Sequence, residues 1–160
     1  MRIAVVGMGK IGLPLAVHYA RRGHSVVGVD VNPQTVALIN GGAEPFPGEA
    51  HLAEYLPPLI SSGALRATTE YAEAIPGADA VVMVVPLVVD AESRPDFTIM
   101  DAATRSMAAH LSPGTLVSYE TTLPVGTTRG RYKPLIEEVS GLVEGRDFDV
   151  VFSPERVLTG

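Results

Sequence analysis

Short apolar runs alternate with longer amphipathic stretches along almost the whole chain. Runs rich in valine, isoleucine and alanine predict β-strands at residues 2–6, 25–29, 65–68, 80–85, 115–119 and 148–152. Between them, apolar residues at helical spacing predict helices at residues 11–22, 33–40, 50–61, 70–75, 98–111 and 127–139. Strands that alternate with helices are typical of α/β proteins. We therefore expect a Rossmann-type doubly wound parallel sheet in a single domain, residues 1–160.

Three segments interrupt this alternation. Residues 86–97 are predicted to form a long loop, and residues 122–126 a turn. Within the third predicted helix, Pro57 and Pro58 are expected to break or kink the chain, because proline lacks the N–H that an interior helical position donates.

The first strand is followed at once by three glycines in the pattern Gly-x-Gly-x-x-Gly. Gly7 permits a tight turn, Gly9 lets the backbone approach a pyrophosphate, and Gly12 allows the helix to pack close to the strand. The helix that starts at Ile11 directs its free N–H groups towards the phosphates. A tight strand–helix turn would account for the glycines alone, but not for the acidic residue that follows.

That acidic residue is Asp30, which stands at the end of the second strand, 18 residues after Gly12. This spacing is typical of the carboxylate that binds the adenosine ribose. Residues 31–33 contain no arginine to hold a 2′-phosphate, so the sequence favours NAD over NADP and leaves FAD open. Lys10 is interpreted either as a further phosphate contact or as a solvated residue at the helix start.

Composition narrows the class of protein further. With 46% hydrophobic residues, 19% charged residues and a net charge of -6, the chain resembles a soluble globular domain and has no basic patch for nucleic acid. No apolar run approaches the length of a membrane span, and residues 1–6 already form a strand, so we expect a cytoplasmic protein. Cysteine is absent, and the four histidines show no metal-binding spacing, so no metal is expected.

Two segments in the second half resemble motifs of one enzyme family. Residues 121–128 read Thr-Thr-Leu-Pro-Val-Gly-Thr-Thr, similar to the Ser-Thr-Val-Pro-Val-Gly-Thr-Thr turn of the UDP-glucose/GDP-mannose dehydrogenases. Residues 153–160 begin Ser-Pro-Glu-Arg-Val-Leu and resemble that family's Asn-Pro-Glu segment, in the form closest to its UDP-N-acetyl-D-mannosamine dehydrogenase branch. Residues 48–52, Gly-Glu-Ala-His-Leu, are similar to the family's Glu-Pro-Gly-Leu stretch.

The resemblance implies a function and assigns residues to it. The family oxidises C6 of a nucleotide sugar from alcohol to carboxylate with two NAD, through a thiohemiacetal on a cysteine. The resemblance implies that Thr122 lies beside the nicotinamide and that Glu155 handles protons or orients water. It also implies that Val85 and Pro86 lie against the cofactor. Each polar residue has a simpler interpretation, Thr122 as part of a turn and Glu155 as a surface acid.

The chain departs from the family pattern in ways that affect the prediction. Lys10 stands where the family often has tyrosine, and Leu87 replaces a threonine that would contact the cofactor. The family's catalytic cysteine, lysine and asparagine have no counterparts, so the chain is interpreted as the N-terminal, inactive piece of a dehydrogenase that forms a homodimer. The alternatives are a 3-hydroxyacid or 6-phosphogluconate-type dehydrogenase, and a stand-alone NAD-sensing module.

Overall fold

The computed structural model describes residues 1–46 and 48–154. Its strands are β1 Arg2–Val6, β2 Ser25–Val29, β3 Leu65–Thr68, β4 Ala80–Met83, β5 Val88–Val89, β6 Pro95–Asp96, β7 Thr115–Tyr119 and β8 Phe148–Phe152. Its helices are α1 Gly12–Arg21, α2 Pro33–Asn40, α3 Leu52–Ser61, α4 Tyr71–Ala74, α5 Thr98–Ala108 and α6 Lys133–Ser140, and a π-helical segment covers Thr128–Tyr132. None of the described helices is both long and apolar enough to cross a membrane.

Six strands form one parallel sheet in the order β3-β2-β1-β4-β7-β8. The chain moves outward from β1 to β3, returns to pair β4 with β1, and then moves outward on the other side. This reversal confirms the predicted doubly wound sheet. In such sheets ligands bind at the carboxyl ends of the strands where the order reverses, here between β1 and β4.

The two faces of the sheet have separate hydrophobic cores. On one face, Val5, Leu13, Val17, Leu56 and neighbouring side chains form a core beneath α1 and α3. On the other face a larger core lies beneath α4, α5 and α6. Because the central strands are covered on both sides, their sequences are continuously apolar instead of alternating.

Two predicted segments differ in the structure. The predicted strand at residues 80–85 ends at Met83, although the Val84 N–H still donates a hydrogen bond of 2.8 Å to the Val6 carbonyl. The predicted loop at residues 86–97 contains a small antiparallel hairpin in which β5 pairs with β6. Each strand of this hairpin has only two residues, which is too short to show an alternation of apolar and polar positions. The sequence pattern therefore did not predict the hairpin.

The predicted break in the third helix does not occur, because α3 continues through Pro57 and Pro58. Its inner face is anchored by Leu52 and Leu56, which are buried against the sheet, and this packing compensates for the missing N–H groups. The helix starts at Leu52, two residues later than predicted, after His51 takes a left-handed conformation with φ of +64°.

A variant pair measures the strain at His51. The His51 side chain is exposed, stacks on Tyr55 and lies 3.2 Å from Glu54. Both His51→Gly and His51→Ala remove these contacts, but only glycine adopts the left-handed region without steric cost. We expect the glycine variant to be more stable than the alanine variant by about 1 kcal/mol in urea denaturation. Equal stability of the two variants would show that the backbone carries no strain here.

An aromatic cluster joins the π-helical segment to the sheet. The rings of Tyr119 and Tyr132 stack with centroids 4.4 Å apart, and both side chains are fully buried. The Tyr119 hydroxyl shares a 2.8 Å hydrogen bond with Thr104, which lies in α5. The Tyr132 hydroxyl has no hydrogen-bond partner among the described residues. Burial raises the pKa of both phenols, so both remain protonated at neutral pH.

Removing the Tyr119 hydroxyl and removing the Tyr132 hydroxyl are expected to have different effects on the stability of the protein. Tyr119→Phe leaves the buried Thr104 hydroxyl without this partner and is expected to destabilise the protein by about 1–2 kcal/mol. Tyr132→Phe removes a buried polar atom that forms no bond, and is expected to be neutral or to stabilise by up to about 1 kcal/mol. Urea denaturation of the two variants compares them directly. A marked loss in Tyr132→Phe would contradict the observed absence of a partner.

Candidate cofactor site

The glycine-rich segment forms a tight connection between β1 and α1. Gly7 has a φ of +94°, and its N–H donates a 2.8 Å hydrogen bond to the Val29 carbonyl at the end of β2. A Cβ on Gly7 would lie 2.9 Å from the Val84 carbonyl oxygen, and a Cβ on Gly12 would overlap the Gly7 carbonyl oxygen. Both positions therefore require glycine for steric reasons within the chain itself.

Gly9 differs from the other two glycines because a Cβ there would meet no described atom within 4 Å. The fold therefore does not require glycine at this position, and the space above it is open to a ligand. A bare backbone facing open space beside a helix start is the arrangement in which a pyrophosphate is bound. This open cradle fits the dinucleotide that the sequence predicts.

The amino end of α1 remains available to an anion. Ile11 occupies the position before the helix, and among the described residues no side chain caps this end and no acidic side chain lies in its first turn. Lys10 is exposed and Ile11 is half-buried. The positive end of the helix dipole and the Lys10 ammonium group thus face solvent together, as a phosphate site requires.

Asp30 is held in place by the loop that it faces. One carboxylate oxygen accepts a 3.0 Å hydrogen bond from the Met8 N–H, and the other accepts a 2.9 Å bond from the Asn32 N–H. The Asp30 N–H donates to the Thr68 carbonyl at the end of β3 over 3.1 Å. Each carboxylate oxygen keeps a second lone pair, so the group can still accept hydrogen bonds from a ribose diol.

A cleft of about 560 Å³ lies at the carboxyl ends of β1, β2 and β4. Five of the sequence-predicted cofactor residues line it: Gly7, Gly9, Asp30, Val85 and Pro86. Lys10, Ile11, Gly12 and Thr122 are not among the described residues that line this cleft. Gly12 acts instead through packing against Gly7, as described above, and Lys10 and Ile11 belong to the adjoining helix start.

The sequence interpretation missed one whole wall of the cleft. That wall comes from Tyr71 at the start of α4 and from α5, whose contributing residues are Thr98, Ile99, Ala102, Ala103 and Ser106. A signal for Tyr71 was present, because it follows β3 closely, as Asp30 follows β2, and parallel strands end at the same edge. No motif marks the α5 residues, which become meaningful only once the helix is placed beside the cleft.

The charge that lines the cleft is negative. Asp30 is the single charged side chain among the described residues that line it. Burial raises the pKa of Tyr71, and the nearby Asp30 carboxylate raises it further. A 2′-phosphate would therefore meet a carboxylate with no lining arginine or lysine to compensate, which disfavours NADP.

Thr122 lies beyond β7 at the same edge of the sheet. It is exposed, while the adjacent Leu123 is buried and anchors the turn to the core. The Thr127 N–H donates a 3.1 Å bond to the Pro124 carbonyl and closes the turn.

Two acidic residues flank this part of the sheet in the sequence. Burial raises the pKa of Glu120, which directly follows β7 and accepts a 3.3 Å hydrogen bond from Ser118. Glu155, the other predicted catalytic residue, lies outside the described residues.

The fold and this cleft define a dinucleotide-binding domain of Rossmann type, and its cofactor is NAD. The whole chain, residues 1–160, matches the NAD-binding domain of the UDP-glucose/GDP-mannose dehydrogenases, and the protein belongs to that family.

Individual relatives agree with this assignment. The chain is 36% identical to the UDP-N-acetyl-D-mannosamine dehydrogenase of Pyrococcus horikoshii, over 100% of its own length and 37% of the relative's. It is 38% identical to the enzyme of that name from Escherichia coli K12, over 99% of its own length and 38% of the relative's. The chain thus spans somewhat more than a third of these relatives.

Solved structures show the same likeness in three dimensions. The P. horikoshii UDP-D-ManNAc dehydrogenase superposes with a TM-score of 0.92 at 36% identity, covering 100% of this chain and 37% of that one. A GDP-mannose dehydrogenase from Pseudomonas aeruginosa, solved as a ternary complex, gives a TM-score of 0.93 at 30% identity and covers 99% of this chain and 37% of that one.

Proposed function

We propose that this chain is the NAD-binding part of a nucleotide-sugar 6-dehydrogenase that oxidises the C6 alcohol to a carboxylate with two NAD. A UDP-N-acetylhexosamine of the mannosamine type is the proposed substrate. The main support is the cofactor cleft, which combines the open Gly9 cradle with Asp30. Relatives named for UDP-N-acetyl-D-mannosamine that match along the whole chain support the substrate class. Membership of this family argues against the 3-hydroxyacid alternative.

Within this function, the chain's own residues have distinct tasks. The glycine loop and the α1 terminus bind the pyrophosphate, and Asp30 binds the adenosine ribose. When bound, NAD supplies the hydride acceptor. The Thr122 hydroxyl is proposed to orient water or the substrate oxygen beside the nicotinamide, and Glu155 to handle protons. A cytoplasmic location and homodimerisation remain predictions for the parent protein, and we further propose that it acts in polysaccharide biosynthesis.

Because the chain contains no cysteine, it lacks the thiol on which the proposed thiohemiacetal would form. We therefore propose that the chain binds NAD but does not reduce it. Calorimetric titration with NAD, and with NADP in parallel, tests the first part. Absorbance at the NADH band after addition of UDP-N-acetyl-D-mannosamine tests the second.

The expected result is saturable NAD binding, at least tenfold weaker binding of NADP, and no NADH. Failure of the chain to bind NAD would overturn the proposal of a self-sufficient cofactor site. NADH formed by the chain alone would overturn the proposal that catalysis requires groups absent from it.

A further inference from the structure

Tyr71 is the one aromatic side chain among the described residues that line the cofactor cleft. It lies at the start of α4, and its half-buried ring packs against the core beneath α5. The part of the ring that faces the cleft thus has a rigid support. An aromatic surface held in this way can bind a planar base with little loss of conformational freedom.

One backbone hydrogen bond and one hydrogen bond to a side chain, both at Thr68, fix Tyr71 relative to Asp30. The Asp30 N–H donates to the Thr68 carbonyl over 3.1 Å, which joins the ends of β2 and β3. The Thr68 hydroxyl in turn accepts a 3.1 Å bond from the Glu70 N–H, just before Tyr71. The ribose-binding carboxylate and the aromatic side chain therefore follow two adjacent strand ends that are joined by a hydrogen bond at the edge of the sheet.

The Tyr71 hydroxyl forms no hydrogen bond with another described residue. Its pKa is raised by burial and by the Asp30 charge, so it stays protonated through neutral and mildly alkaline pH. It is thus a spare donor in the cleft that the Asp30 carboxylate also lines. A polar ligand group in the cleft can satisfy this donor.

We propose that Tyr71 is a second adenosine-binding residue, whose ring contacts the adenosine half of NAD while its hydroxyl donates a hydrogen bond to it. This inference rests on the NAD site described above and adds to it a residue that neither the glycine pattern nor the family motifs mark. At this end of the cleft, Asp30 supplies the hydrogen-bond acceptors, and Tyr71 supplies the apolar surface and the hydrogen-bond donor.

The test compares Tyr71→Ala and Tyr71→Phe with the wild-type chain by calorimetric titration of NAD, ADP-ribose and AMP. The alanine variant is expected to lose about 5- to 150-fold in affinity, and by a similar factor for all three ligands, because all three contain the adenosine half. The phenylalanine variant is expected to recover most of this loss, and its remaining deficit reports the hydroxyl.

Tyr55→Ala is the matched control, since Tyr55 is also half-buried but lies on α3 outside the cleft. It is expected to lower the melting temperature without changing the affinity for NAD. Unchanged affinity in Tyr71→Ala, with wild-type binding intact, would overturn this inference alone. An equal loss of affinity in Tyr55→Ala would also overturn it, by showing that general loosening is the cause. Absence of NAD binding in the wild-type chain would instead overturn the proposed function.

Discussion

A chain carrying Gly12→Ala is expected to unfold at lower urea concentration and to lose NAD binding. The new Cβ would overlap the Gly7 carbonyl oxygen, which is backbone and cannot rotate away. The loop or the start of α1 would have to move, at a cost of about 1–3 kcal/mol or more. Displacement of the loop would also disrupt the cradle for the pyrophosphate. Urea denaturation followed by circular dichroism measures the first effect, and calorimetry measures the second.

Gly9→Ala provides the matched control, because its Cβ would meet no described atom within 4 Å and Gly9 does not have a positive φ. Its stability is expected to stay the same or to rise by up to about 1 kcal/mol. NAD binding is nevertheless expected to weaken, since the methyl group would occupy the space of the pyrophosphate. If Gly9→Ala bound NAD as well as the wild type, the assignment of this space to the cofactor would be wrong.

Asp30→Ala is expected to lower the affinity for NAD by about 10- to 150-fold. The estimate corresponds to the loss of charge-assisted hydrogen bonds worth about 1.5–3 kcal/mol. Asp30→Asn keeps one acceptor and is expected to lose less. The same change removes the negative charge, so the ratio of NADP to NAD affinity is expected to rise in both variants. Parallel calorimetric titrations with the two cofactors provide the comparison.

Asp149→Ala serves as the control for charge alone, because Asp149 is exposed on the edge strand β8, away from the cleft. It removes the same charge from the protein and is expected to leave both affinities unchanged. Asp30→Ala with undiminished NAD affinity would mean that the carboxylate does not contact the ribose.

Periodicity predicted the parallel sheet well, because buried parallel strands are continuous apolar runs bounded by glycine, proline or polar residues. The strands at residues 2–6, 25–29, 65–68, 115–119 and 148–152 have the predicted bounds. The glycine pattern and Asp30 were readable for a related reason. Gly7 and Gly12 are required for steric reasons, and the acidic residue follows them at a fixed spacing. Both requirements can be recognised from the sequence alone.

Features that depend on tertiary contacts could not be predicted from the local sequence. The segment predicted as a helix at residues 127–139 begins with a π-helical segment, where Arg131 pairs with Asp101 of α5 and Tyr132 stacks on Tyr119. Nothing in the local sequence distinguishes a π-helical turn from an α-helical one. The α5 wall of the cleft was missed because alanine and serine in a helix indicate only that the helix forms.

The two hydrogen bonds that Asp30 accepts from Met8 and Asn32 limit how the cofactor preference of this domain can change. The carboxylate that is proposed to bind the ribose also holds the glycine loop, so a substitution at position 30 would change cofactor selectivity and loop geometry together. A small residue at position 30 would admit a 2′-phosphate but release the Met8 N–H. A redesign for NADP therefore needs a neutral acceptor at position 30 together with a new cation nearby, and neither change would suffice alone.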